Sequence, residues 1–139
     1  MSFKKNKYVV IKNAIEKNLA EFCYNYLLVK KQVYETCKKT RYISPYETLL
    51  GGYETKKDQV ENTYATYGDI ALDTLMLRSL PLMEKETKLK LNPAYSYARV
   101  YKKGDILKRH KDRFSCEIST TINLGGDSWP IYVEPSGKK

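Results

Sequence analysis

Histidine occurs once in this 139-residue chain, at position 110. Any site that needs several imidazoles is therefore outside what these residues can build alone. Cysteine is nearly as sparse: Cys23, Cys37 and Cys116, an odd number with no Cys-x-x-Cys. That count argues against a disulfide framework, and the lack of a Cys/His cluster argues against structural zinc. Cys23 and Cys37 share a face of the helix predicted below, but about 21 Å of helix axis separates them, too far for a bridge. No apolar run approaches the roughly 20 residues needed to span a bilayer. The apolar stretch Tyr8-Val9-Val10-Ile11 is too short for a signal-peptide core, and no small-residue cleavage site follows it. Internal repeats and low-complexity segments are also lacking. The expectation is a single cytoplasmic domain over 1–139, with no membrane partner.

What the chain does have is positive charge, formally +9. The lysines are dispersed, which suits a solvated face as well as an anionic partner. A short strand is expected over 7–12, then Asn13 as an N-cap with Glu16 three residues on. Ile15, Leu19, Phe22, Cys23, Tyr26, Leu27, Val33, Tyr34 and Cys37 recur at helical spacing, and Lys38-Lys39 suit a helix C-terminus. Residues 40–68 read as a long loop punctuated by Pro45 and Gly51-Gly52, with extended pieces near 49–54. Asp69 caps a second helical region carrying Ile70, Leu72, Leu75, Met76, Leu80 and Met83. Pro81 is expected to break or restart it, with Ser79 as a new cap.

From Ala94 the pattern alternates. Strands are predicted at 95–101, 106–110, 116–124 and 129–133, with turns at 102–105, 125–127 and 135–139. Helices first and short antiparallel strands after predict an α+β fold. In it, a helix-rich part over 1–93 packs on a double-stranded β-helix, or jelly roll, whose first strands occupy 94–139.

His110-Lys111-Asp112 stands out within the second half. On a strand, residues i and i+2 face the same side, about 6–7 Å apart at the backbone. An imidazole and a carboxylate so placed can converge on one metal ion. They are two of the three donors of the two-His-one-carboxylate triad that holds non-haem Fe(II). The plainer reading is a histidine paired with Asp112 or Asp105 at a strand end. Tyr97, Tyr101 and Trp129 can equally be strand aromatics packed on a half-buried sheet. Arg99 either holds the site by hydrogen bonds or lies on the sheet surface, and Arg113 suits a neighbouring salt bridge or the steering of an acidic ligand.

The run Tyr95-Ser96-Tyr97-Ala98-Arg99-Val100-Tyr101-Lys102-Lys103-Gly104-Asp105-Ile106-Leu107-Lys108-Arg109-His110-Lys111-Asp112-Arg113 is followed by Ser119-Thr120-Thr121-Ile122-Asn123-Leu124-Gly125-Gly126. Together they resemble the core of the prolyl 4-hydroxylase-like 2-oxoglutarate/Fe(II) oxygenases, in particular the small phage and marine bacterial type. The resemblance covers roughly residues 90–135. It implies Fe(II) held by His110 and Asp112, 2-oxoglutarate contacted by Tyr101 and Thr121, and ascorbate as an accessory reductant. It also implies hydroxylation of a peptide or protein side chain, proline by default, coupled to decarboxylation of 2-oxoglutarate to succinate.

In that family a second histidine and a basic residue for 2-oxoglutarate follow the Gly-Gly turn. Neither can be assigned here, since Lys138 and Lys139 come too early. Four predicted strands against the roughly eight of a closed jelly roll lead to the expectation of a C-terminally truncated domain, inactive alone and weak in iron affinity. Two other functions compete: a non-catalytic jelly-roll binding module and, less favoured, a basic nucleic-acid-binding protein.

Overall fold

The computed structural model describes residues 3–42 and 51–136. In chain order they form α1 (Phe3–Asn6), α2 (Lys17–Lys39), β1 (Tyr64–Tyr67), α3 (Ile70–Thr87) and β2 (Tyr97–Val100). Pro45, part of the expected extended piece at 49–54 and part of the turn at 135–139 lie outside the described residues.

α2 follows from its apolar periodicity: Cys23, Leu27 and Tyr34 are its buried side chains. It begins later than Asn13 suggests. Asn13 takes a left-handed backbone (φ 54), and Glu16 occupies the N-cap position without a side-chain cap. Past Lys38 and Lys39, the Thr40 hydroxyl donates to the Thr36 carbonyl at 2.9 Å and closes the last turn. The expected strand over 7–12 is not formed. Those residues follow the single turn of α1 without regular structure.

Asp69 caps α3 as expected. Its Oδ1 accepts from the amides of Ala71 (3.0 Å) and Leu72 (3.2 Å), two donors that the first helical turn leaves unpaired. Pro81 does not end the helix, which continues to Thr87. The missing amide at Pro81 costs one bond to the Leu77 carbonyl, and Leu77 lies on an exposed face. Ser79 does not act as a cap either: its hydroxyl donates to the Leu75 carbonyl at 2.9 Å. Lys88 in the left-handed conformation closes the C-terminus.

β1 and β2 pair antiparallel, with Tyr64 opposite Val100 and Tyr67 opposite Tyr97. A single bridge from Tyr53 to Ala65 extends the other edge of β1. β1 lies where a loop was expected, and its first three residues are buried. Gly52 has no side chain for a steric reason: with φ +88, a Cβ there would meet the Ala65 carbonyl oxygen at 2.5 Å. The core joins Cys23 and Leu27 of α2 to Leu72 and Leu75 of α3, with Ala98, Val100 and Leu124 packed against them.

The fold is thus a small α+β arrangement, and the expected double-stranded β-helix is overturned. Among the described residues there are three helices and one two-stranded sheet. The stretches 106–110, 116–124 and 129–133 form no strand. Alternating apolar residues dictate which way side chains point, but a strand also needs a neighbour to take its amides and carbonyls. Among the described residues these stretches lack that neighbour, and Ile106, Ile131 and Val133 are each more than 60 % exposed.

Candidate metal centre

The site is approached through the turn after β2. Gly104, at φ 92, lets the chain reverse. The Asp105 carboxylate then accepts from the Thr63 hydroxyl (2.7 Å) and the Lys102 amide (2.9 Å), and pairs with Lys102 Nζ at 2.9 Å. Lys102 Nζ also donates to the Asn62 carbonyl at 2.7 Å. Burial alone pushes the Asp105 carboxyl up, but these bonds outweigh it and hold it below the usual carboxylate range. The turn is therefore clamped to the residues just before β1.

His110 and Asp112 follow on an irregular segment, not on a strand. The structure nevertheless brings them together, with His110 Nε2 3.4 Å from Asp112 Oδ1. Each is held from behind. His110 Nδ1 lies 2.8 Å from the Lys108 carbonyl. A carbonyl only accepts, so the proton sits on Nδ1, and in the neutral ring Nε2 keeps a lone pair. Asp112 Oδ2 accepts from the Ser119 hydroxyl at 2.6 Å. At this separation His110 Nε2 and Asp112 Oδ1 are close enough to share a proton or to act as two ligands of one metal ion. Adjacent ligands with bonds of about 2.1 Å to one ion lie roughly 3 Å apart, so the pair fits two coordination positions. Side-chain exposures of 33 % and 48 % leave the pair open to solvent. Among the described residues, no three or more His, Cys, Asp or Glu side chains gather where they could hold a metal. The donor set on view is a two-donor site.

Tyr101 is half-buried. Its hydroxyl accepts from Arg99 Nη1 at 3.3 Å, and its ring meets Trp129 edge-on with centroids 4.0 Å apart. Thr121 is exposed on the stretch after Ser119.

Arg99 is the residue the sequence placed least well. Its side chain is 4 % exposed. Nη2 bonds Asp58 Oδ2 (2.9 Å) and the Tyr97 hydroxyl (2.7 Å), and Tyr97 in turn bonds Asp58 at 2.8 Å and Tyr53 at 3.2 Å. Burial opposes the guanidinium charge, but the bonds to Tyr101 and Asp58 outweigh it and hold the pKa above its ordinary value. Burial also raises the Asp58 carboxyl, and bonds from Tyr97 and Arg99 bring it below the usual range.

Ser119 was missed too, as was a second link. The Tyr95 hydroxyl lies 3.0 Å from Cys116 Sγ, with the Arg113 guanidinium over the Tyr95 ring at 5.3 Å and Tyr67 stacked on it at 4.4 Å. Arg113 thus rests on an aromatic face. No local pattern announces partners 7 or 21 residues away. No family model, curated protein or solved structure matches the chain. Among the described residues no helix is long and apolar enough to cross a membrane.

Proposed function

We propose that this chain carries two iron ligands, His110 and Asp112, of an Fe(II)/2-oxoglutarate-dependent hydroxylase acting on a peptide or protein side chain in the cytoplasm, with proline the default target. The observation that carries the reading is the 3.4 Å approach of His110 Nε2 to Asp112 Oδ1, each braced by a separate hydrogen bond. The likeness of residues 90–135 to the oxygenase core supports it. When bound, iron supplies, with 2-oxoglutarate and oxygen, the oxidising power for C–H hydroxylation.

The chain's own residues do the rest. His110 would supply an imidazole nitrogen, and Asp112 would offset part of the ion's charge. Lys108, Arg109, Lys111 and Arg113 surround the pair in sequence. That excess of positive charge disfavours a bare cation and favours one accompanied by a dianionic ligand such as 2-oxoglutarate. The resemblance assigns Tyr101 and Thr121 to that ligand; the Tyr101 hydroxyl accepts from Arg99 Nη1, and Thr121 is exposed.

The test is succinate formation that requires Fe(II), 2-oxoglutarate and oxygen, in a protein that carries this segment together with a third iron ligand, and that disappears in His110→Ala. Turnover unchanged in that variant rejects the assignment. A second reading, a non-catalytic binding module, has one observation in its favour: no three-donor group among the described residues. It predicts His110-dependent metal binding without succinate.

A further inference from the structure

We propose that the arc between Asp105 and Cys116 binds single-stranded nucleic acid, its cations taking phosphates and its exposed flat groups taking unpaired bases. This stands apart from the iron-site reading above and needs no metal.

Between Ile106 and Ser115 the chain carries four cations, Lys108, Arg109, Lys111 and Arg113, and one acid, Asp112, all of them exposed. Asp112 already engages His110 and the Ser119 hydroxyl. Arg109 interacts electrostatically with the Glu134 carboxyl. Lys108, Lys111 and Arg113 have no ion-pair partner among the described residues. Elsewhere the basic side chains behave differently: Lys30, Lys31, Lys38, Arg78, Arg99 and Lys102 each pair with a carboxylate. The charges that crowd the His110–Asp112 pair repel a bare cation and attract an anion.

Flat groups lie among these cations. The Tyr67 and Tyr95 rings stack with centroids 4.4 Å apart, and the Arg113 guanidinium covers the Tyr95 ring at 5.3 Å. Because Arg113 is exposed, the stack ends in a charged plane at the surface. Phe114, the next residue, is 100 % exposed. A phenyl ring left wholly in water is unfavourable, and a stacked base covers it. Such planes suit unpaired bases, whereas an acidic side chain brings charge without a plane. Bases in a duplex hide their faces, and an irregular arc is not the helix or two-stranded ribbon that enters a major groove. The combination therefore favours a single strand. The clamp at Asp105 and the Tyr95–Cys116 contact hold both ends of the arc, so binding has less chain to order.

The test is fluorescence anisotropy with labelled oligothymidylate and oligouridylate of about 15 nucleotides. Lys108→Gln/Lys111→Gln is expected to weaken binding about tenfold and to lower the log–log salt slope by about 1.4. Lys4→Gln/Lys5→Gln removes the same charge from exposed positions of α1 and is expected to change affinity less than about twofold. Phe114→Ala is expected to weaken binding about 5–100-fold with the slope unchanged, and Phe114→Trp to restore it. Binding of either strand supports the proposal, and the tighter one names the sugar. No binding at low salt overturns it, as does wild-type affinity in Phe114→Ala. Equal weakening in the α1 variant reduces the effect to net charge and also overturns it. So does a duplex, polyglutamate or a phosphatidylserine vesicle held more tightly than either strand. None of these outcomes bears on His110 and Asp112 as iron ligands.

Discussion

Tyr26, midway along α2, donates its hydroxyl to the carboxylate of Asp69 at the N-terminus of α3, 2.7 Å away. Lys30, one turn further along α2, pairs with the same carboxylate. One side chain therefore caps one helix and ties it to the other, and it is 3 % exposed. Asp69→Ala removes the cap and leaves a lysine and a phenol without their acceptor. The expected loss is about 3 kcal/mol, measured by urea unfolding with the slope unchanged.

The same contact contributes to both ends of the pH profile. Burial raises the Asp69 carboxyl, but bonds from Lys30 and Tyr26 and from the helix amide of Leu72 outweigh it and hold it low. A carboxyl depressed in the folded state contributes stability above its unfolded value of about 3.9, lost as pH falls through the folded value. Burial, with help from Asp69, pushes the Tyr26 phenol up to about 12. That contribution is complete below the unfolded value of about 10 and is lost as pH rises through about 12. Asp69→Asn is expected to flatten the acid limb of stability against pH, and Tyr26→Phe the alkaline limb.

Arg99 is expected not to tolerate lysine. A single ammonium cannot reach Asp58, Tyr97 and Tyr101 as the planar fork does. Arg99→Lys is expected to cost about 2–4 kcal/mol. The emission of Trp129, which packs on Tyr101, reports the change. A variant with unaltered melting temperature and emission refutes this account of the cluster.

Gly125 marks where the final segment lies against α2: a Cβ there would stand 2.8 Å from the ring of Tyr24. Gly125→Ala is expected to destabilise by about 1–3 kcal/mol. Combining it with Tyr24→Ala is expected to recover part of that loss. Strict additivity in the double-mutant cycle would show that the two positions do not touch.

How much of this was legible beforehand depends on how local the cause is. The face of α2 through Cys23 and Leu27, and the Asp69 cap, rest on neighbours three or four residues away, and both were readable. Pro81 misled because a helix loses only one bond to it when its neighbours hold the next turns in place. β1 hid in an expected loop because its partners, Tyr53 and β2, lie far off in sequence. The strands forecast after Asp105 failed for the same reason, since alternation names a face and not a partner. His110 and Asp112 were legible as a pair, being two residues apart. Their braces were not: the Lys108 contact is a backbone carbonyl, and Ser119 comes in from seven positions downstream.

The clamp at Asp105 and the Tyr95–Cys116 contact have a consequence for handling the protein. They fix both ends of a short arc that contains the donor pair and four trypsin sites: Lys108, Arg109, Lys111 and Arg113. If His110 and Asp112 hold an ion as proposed, that ion would lower the population of the arc's open forms. Protease nicking between Lys108 and Arg113 should then slow as metal is added, giving a gel-based readout of occupancy that needs neither substrate nor cosubstrate.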